Sequence, residues 1–129
     1  MSRTAALTQT VASGTSCAAS GSIFNAGSTT TPTSSAIGYG VSGIASITNG
    51  STAPGATCNF LIYVSYDNST FYLYSSQAGP VNVSSTYTFN YSLAPGGNGG
   101  DWLYYYIQFT GNTGQSVTVQ CNSVQTTGI

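Results

Sequence analysis

The feature of the sequence that most constrains its fold is a period-two alternation of side chains within short segments. In residues 86–93, an apolar or aromatic residue stands at every second position, and hydroxyl or amide side chains stand between them. Successive side chains of a β-strand point to opposite faces, so this pattern predicts a half-buried antiparallel strand. No segment shows the 3.6-residue period of a helix, which restricts the chain to strands and turns.

Other segments repeat this pattern between Gly, Pro and Asn turns. Residues 58–66 are apolar on both faces, which predicts a central strand covered on both sides. A tight polar turn follows, so 57–66 and 70–76 are predicted to form a hairpin. Residues 101–110 form an aromatic strand, and 111–114 are predicted to turn it into a hairpin with the strand around 117–121. Shorter strands are predicted at 44–48, before an Asn-Gly turn, and around 16–24.

These patterns predict an all-β fold, an antiparallel β-sandwich of jelly-roll type with seven or eight strands. About the first 35 residues are small and polar, including a Ser/Thr-rich run at 28–35 that contains one Pro. We therefore expect residues 1–33 to be an extended N-terminal arm or loop segment with one short strand. The sandwich domain is expected over residues 34–129.

Charge is nearly absent from the chain. Arg3, Asp67 and Asp101 are the only charged side chains among 129 residues, and His, Lys and Glu do not occur. This composition excludes a Ser-His-Asp triad, a Schiff-base lysine and a His-containing metal site. One Arg cannot neutralise a row of phosphates, so nucleic-acid binding is excluded as well. We expect a protein that is not an enzyme, has no catalytic residues, and holds no cofactor or metal.

The three cysteines, Cys17, Cys58 and Cys121, are an odd number at long and unequal separations, which does not resemble a disulfide framework or a zinc site. Buried free thiols are the favoured interpretation, and a Cys58–Cys121 bridge is the alternative if those strands are neighbours. The first ten residues have no apolar core of signal-peptide length, and no apolar run is long enough to span a membrane. These features predict folding in a cytoplasm without a membrane partner.

The two aspartates are candidates for a glycosidase pair, which needs two carboxyl groups facing a sugar. Asp67 lies in a Tyr-Asp-Asn-Ser turn and Asp101 follows a Gly-rich segment. Asp is favoured at such places because its carboxylate accepts hydrogen bonds from turn amides. We therefore interpret both as structural residues.

The aromatic residues are the main candidates for recognition. Trp102, Tyr104 and Tyr106 are predicted to share one face of the aromatic strand, while Tyr105 and its alternate neighbours share the other. One face must be core, and the other is free to form a protein interface or to stack on a glycan. The interface candidates on and beyond this strand are Trp102, Tyr104, Tyr106, Phe24 and Tyr39.

Three stretches carry a resemblance to a known group of proteins. They are GYG followed by ITNG within residues 38–50, VSYDNS at 64–69, and GNTGQSVTV at 111–119. Over about residues 34–124 the chain resembles small β-sandwich virion structural proteins of tailed bacteriophages. The resemblance implies a capsid decoration (cement) protein that forms a homotrimer, binds the major capsid protein and resides in a virion assembled in the host cytoplasm. The alternative is a glycan-binding or receptor-binding module of a phage tail or capsid surface.

Overall fold

The structure is a computed structural model that describes residues 4–93 and 102–128 of the chain. Strands dominate it because the alternating segments can bury one face each only by pairing into sheets. The nine strands among these residues are β1 (Thr4–Cys17), β2 (Ser22–Phe24), β3 (Ser35–Ala36), β4 (Val41–Asn49), β5 (Asn59–Ser65), β6 (Tyr72–Ala78), β7 (Thr86–Leu93), β8 (Tyr104–Thr110) and β9 (Val117–Gly128).

The strands form two antiparallel sheets. Sheet A has the order β1-β9-β4-β7, and sheet B has the order β2-β8-β5-β6 with the short β3 also paired to β8. The sheets pack face to face, so the all-β, jelly-roll-like antiparallel sandwich is confirmed. The expected count of seven or eight strands is too low, because the long β1 and the two-residue β3 have no alternation that would predict them.

The core lies between the inner faces of the two sheets, where alternate residues of each strand meet. Phe60 of β5 is fully buried at its centre. Its ring centroid lies 5.1 Å from that of Phe109, 5.7 Å from that of Tyr91 and 6.0 Å from that of Phe89. Phe60 therefore joins β7 of sheet A to β8 of sheet B.

Two sequence predictions of strands are confirmed, one of them with the same bounds. The strand predicted at 86–93 is β7, with the same bounds. The predicted hairpin of 57–66 with 70–76 is the antiparallel pair β5–β6. β5 is also central in its sheet, between β8 and β6. The expectation that another layer covers both of its faces is wrong, since its outward side chains are covered only in part, by neighbours on the same sheet.

The predicted hairpin between the aromatic strand and the strand at 117–121 is wrong. β8 belongs to sheet B and β9 to sheet A, so the connection between them crosses the sandwich. The side chain of Asn112, which is part of this connection, is buried and fixes the connection by hydrogen bonds. Its fully buried amide donates hydrogen bonds to the carbonyls of Cys17 at 3.2 Å, Ala18 at 3.2 Å and Gln115 at 2.9 Å.

The N-terminal segment contains more structure than one short strand. The region predicted as a strand at 16–24 is divided by a turn, in which Ser20 has a φ of 59° and the Gly21 N–H donates to the Ala18 carbonyl. β1 ends before this turn and β2 begins after it. β1 pairs with β9 along its length, so residues 4–17 are an edge strand of sheet A. The division of the chain at residue 33 stays a prediction.

Candidate functional site

The alternation along β8 settles which of its faces is core. Tyr105, Ile107 and Phe109 point inward and are buried, whereas Tyr104 and Tyr106 point outward from sheet B and are half-buried. The outward tyrosines are therefore available for recognition.

Tyr106 is the centre of an aromatic group on the outer surface of sheet B. Its ring stacks on Tyr63, with centroids 4.8 Å apart and planes 12° apart. The rings of Phe71 and Phe24 approach it edge-on, at 5.1 Å and 6.2 Å. Partial burial, and next the neighbouring Tyr63, raise the pKa of the Tyr106 hydroxyl.

We call this surface the aromatic face. It also includes Tyr104 and Leu73. Leu73 is paired with Tyr63 across β5 and β6, and its side chain is 55% exposed. Two of the predicted candidates, Phe24 and Tyr106, are thus in direct ring contact. Tyr63, Phe71 and Leu73 were not predicted as candidates. The apolar residues on both sides of β5 are the sequence signal for this surface, although the same pattern also predicts a strand covered on both faces.

Trp102 does not continue the alternation of Tyr104 and Tyr106. It precedes β8 and packs its half-buried side chain against the edge of the core. Tyr66 stacks on it with ring centroids 4.2 Å apart, and Tyr72 lies at 6.1 Å. Within the described part of the chain, the buried indole N–H has no hydrogen-bond partner. Tyr66 and Tyr72 are both about half exposed, so this cluster forms a second aromatic surface at the end of the sandwich.

Tyr39 lies apart from the other candidates. It precedes β4, and its backbone N–H donates to the Thr126 carbonyl at 3.2 Å near the end of sheet A. Its side chain is exposed. The structure therefore does not bring Tyr39 to the aromatic face.

A small cleft adjoins the aromatic face. It has a volume of about 250 Å³ and is lined by Pro32, Ser34, Asn68, Phe71 and Tyr106. The Ser34 hydroxyl donates a hydrogen bond to the Asn68 side-chain oxygen at its rim. The cleft combines ring surface with an amide and a hydroxyl, and none of the described residues that line it is charged.

The outer surface of sheet A has a different character, and we call it the polar face. Its outward residues are mostly Ser, Thr, Asn and Gln, and the Thr48 and Thr86 hydroxyls hydrogen-bond across β4 and β7 at 2.8 Å. Leu7, Ile44 and Val124 are exposed apolar exceptions. They border a shallow depression of about 460 Å³ that crosses the sheet.

Asp67 has the structural role that the sequence predicts. Its carboxylate accepts hydrogen bonds from the Ser69 and Thr70 backbone N–H groups, both at 2.9 Å, and from the Ser65 hydroxyl at 3.0 Å. These bonds, led by that from Thr70, lower the pKa of Asp67. They also fix the β5–β6 turn. Asp101 lies outside the described residues, so the geometry of a carboxylate pair is untested.

The three cysteine side chains are buried free thiols, as predicted. Cys121 lies 3.5 Å from the Tyr91 hydroxyl in sheet A. Burial raises the pKa of Cys121 to about 11. In residues 4–93 and 102–128, no group of three His, Cys, Asp or Glu side chains could hold a metal ion. Over the same residues, no helix is long and apolar enough to cross a membrane.

No protein-family model matches the chain, and no similar sequence was found among curated proteins. The comparisons with solved structures concern the fold. A chain of the T=13 infectious bursal disease virus particle aligns with a TM-score of 0.58 and 11% identity over 96% of this chain and 31% of the other. The VP2 subviral particle of that virus gives 0.55 and 11%, over 98% and 33%.

A subunit of Bacillus endospore appendages, described as disulfide-linked pili, aligns with a TM-score of 0.52 and 12% identity. That alignment covers 100% of this chain and 93% of the other. The chain spans about a third of the viral chains but nearly the whole appendage subunit. At these identities the likeness establishes a shared β-sandwich fold.

Proposed function

We propose that the protein is a non-enzymatic structural protein of a virion, and more specifically a capsid decoration (cement) protein. The observation that carries the proposal is the aromatic face, a ring-rich outer surface on a chain whose net charge is −1. Low net charge removes the repulsion that keeps free proteins apart in solution. Such a surface suits a protein that functions as a subunit of an assembly, in permanent contact with neighbouring subunits.

The aromatic face has the composition of a protein interface. Tyr and Phe provide large contact areas at low conformational cost, and charged residues are depleted at the centres of interfaces. Tyr63, Phe71 and Tyr106 support one another by ring contacts, so little side-chain freedom remains to be lost on binding. We propose that this face binds the major capsid protein and a second copy of the chain within a homotrimer.

The fold is compatible with that role. The proteins of similar fold include a viral capsid protein and an appendage subunit, both components of large repetitive assemblies. A rigid sandwich whose outer surfaces bind other subunits can serve as a repeating unit in a capsid or in an appendage. Localisation in a virion follows from the proposal.

The alternative of a glycan-binding module is less well supported by the ring geometry. A sugar stacks on an open ring face, whereas Tyr63 and Tyr106 stack on each other with nearly parallel planes. Tyr66 likewise covers one face of Trp102. A glycan array with reproducible hits that are lost in Tyr106→Ala would favour this alternative over the capsid role.

The interface is tested by placing one charge on the aromatic face. In Leu73→Asp, a carboxylate would have to be buried against the partner without a counter-ion, so we expect binding to weaken by about tenfold or more. Trimer formation is measured by sedimentation velocity, and capsid binding by cosedimentation with particles that lack the chain.

The matched control is Ile44→Asp on the polar face. Ile44 is 54% exposed and Leu73 is 55% exposed, so both substitutions place a carboxylate at a similarly exposed strand position. We expect the control to bind like the parent chain. A loss of binding only in Ile44→Asp would place the interface on sheet A and contradict the proposal.

The near absence of charge also predicts the response to salt. Raising sodium chloride from about 0.1 M to 1 M shortens the screening length from about 10 Å to 3 Å, which weakens ionic contacts. Because Asp67 is the only charged side chain in residues 4–93 and 102–128, we expect the association constant to change by less than about threefold. Steep release of the chain from particles on raising salt would contradict a neutral interface.

A further inference from the structure

We propose that Cys17 and Cys58 form an intramolecular disulfide that ties the two sheets together. Cys17 is the last residue of β1 in sheet A, and Cys58 immediately precedes β5 in sheet B. Both side chains are fully buried. This bridge is independent of the proposed virion role.

The strand register directs both sulfur atoms to one place. Asn59 pairs with Thr110 and Phe60 with Phe109, so Cys58 comes opposite Gly111 and shares the inward face with Phe60. From the other sheet, the Cys17 thiol lies 3.7 Å from the Phe109 carbonyl and 3.5 Å from the Asn112 side-chain oxygen. These two acceptors flank the Thr110–Gly111 segment that lies opposite Cys58.

The two thiols are close enough to interact. Interaction with the Cys58 side chain lowers the pKa of Cys17, against the opposing effect of burial. Interaction with the Cys17 side chain, followed by burial, raises the pKa of Cys58.

Cys121 is not placed to compete for Cys17. In the β1–β9 register, Cys17 pairs with Val117, four residues from Cys121. At about 3.3 Å per residue this offset is about 13 Å, well beyond the roughly 4.4–6.8 Å between Cα atoms that a disulfide allows. The thiol of Cys121 faces the Tyr91 hydroxyl instead.

The oxidation requires a small-molecule disulfide as oxidant. The thiolate of Cys17 or Cys58 attacks one sulfur of the oxidant and releases one thiol, forming a mixed disulfide. The second thiolate then attacks the protein sulfur of that mixed disulfide, forms the Cys17–Cys58 bond and releases the second thiol. Two protein S–H bonds are lost and two reduced thiol molecules are made. Because both side chains are buried, we expect the step while the sandwich closes during folding.

The test is to refold the full chain from denaturant with a mixture of oxidised and reduced glutathione, then alkylate it under denaturing conditions. We expect a mass lower by two hydrogen atoms, alkylation of Cys121 alone, and a peptide linking residue 17 to residue 58. The unfolding temperature should lie above that of the reduced chain, since the bridge restricts the unfolded state. Three alkylated cysteines, or a bridge that includes Cys121, would overturn the proposal.

Two alanine variants extend the test. In Cys121→Ala, the mass loss of two hydrogen atoms should persist. In Cys58→Ala it should disappear, and near-ultraviolet circular dichroism of the reduced variant reports whether the fold is retained. The peptide map of the unsubstituted chain decides the question even if a variant does not fold.

Discussion

Phe60→Ala is expected to lower the free energy of unfolding by about 3–5 kcal/mol. The side chain is fully buried and its ring contacts three other rings that belong to both sheets. Truncation removes the buried apolar area and leaves a cavity that strands held in two sheets cannot close. Because small domains have a total stability of about 5–15 kcal/mol, the variant would be close to unfolding. Urea denaturation followed by near-ultraviolet circular dichroism measures the loss.

The matched control is Phe71→Ala on the aromatic face. Phe71 is only half-buried, and its ring contacts that of Tyr106 on the outside of sheet B. We expect less than half the loss of Phe60→Ala. Equal losses in the two variants would mean that the centre of the core is not at Phe60.

Asn112→Asp is expected to destabilise the fold strongly with almost no change in shape. The amide N–H₂ group of Asn112 faces three carbonyl oxygens, those of Cys17, Ala18 and Gln115. A carboxyl group in the same position has at most one O–H to donate in place of two N–H bonds, so at least one of these carbonyl oxygens loses its donor. Each loss costs about 1–3 kcal/mol. We expect the segment that connects β8 to β9 and the end of β1 to become more mobile together.

The same variant should acquire a pH dependence above about pH 4 that the parent chain lacks. Burial against carbonyl oxygens raises the pKa of the new carboxyl group in the folded state above its unfolded value of about 4. The folded state then retains a proton that the unfolded state releases, so stability is highest below about pH 4 and falls as pH rises through the folded pKa.

The parent chain has no His, Lys or Glu whose titration would make the free energy of unfolding depend on pH near neutrality. Its Asp67 has a lowered pKa, so the contribution of that residue is present above its unfolded pKa and is lost only on acidification. Asn122→Asp, at an exposed position on β9, is the control and should have a nearly flat profile from about pH 5 to pH 8. Equal pH dependence in both variants would contradict the buried role of Asn112.

Part of the candidate site could be predicted from local pattern alone. The alternation from Tyr104 to Phe109 separates two sets of side chains, and it correctly identifies Tyr104 and Tyr106 as members of one set. It fails at Trp102, because the strand begins two residues later and no pairing holds Trp102 to the same geometry. The contacts of Tyr106 with Tyr63 and Phe71 depend on the β5–β8 register, which joins residues about 40 positions apart.

The sequence by itself determined the strand class, the β5–β6 hairpin, the turn role of Asp67 and the near absence of charge, because each depends on neighbouring residues or on composition. The tertiary structure decided which sheet each strand joins and which face of β8 is core. A period-two pattern has two equivalent sides, and only pairing with distant strands makes one of them inward. β1 is the strongest case, since its small polar residues become a strand only because β9 offers them hydrogen bonds.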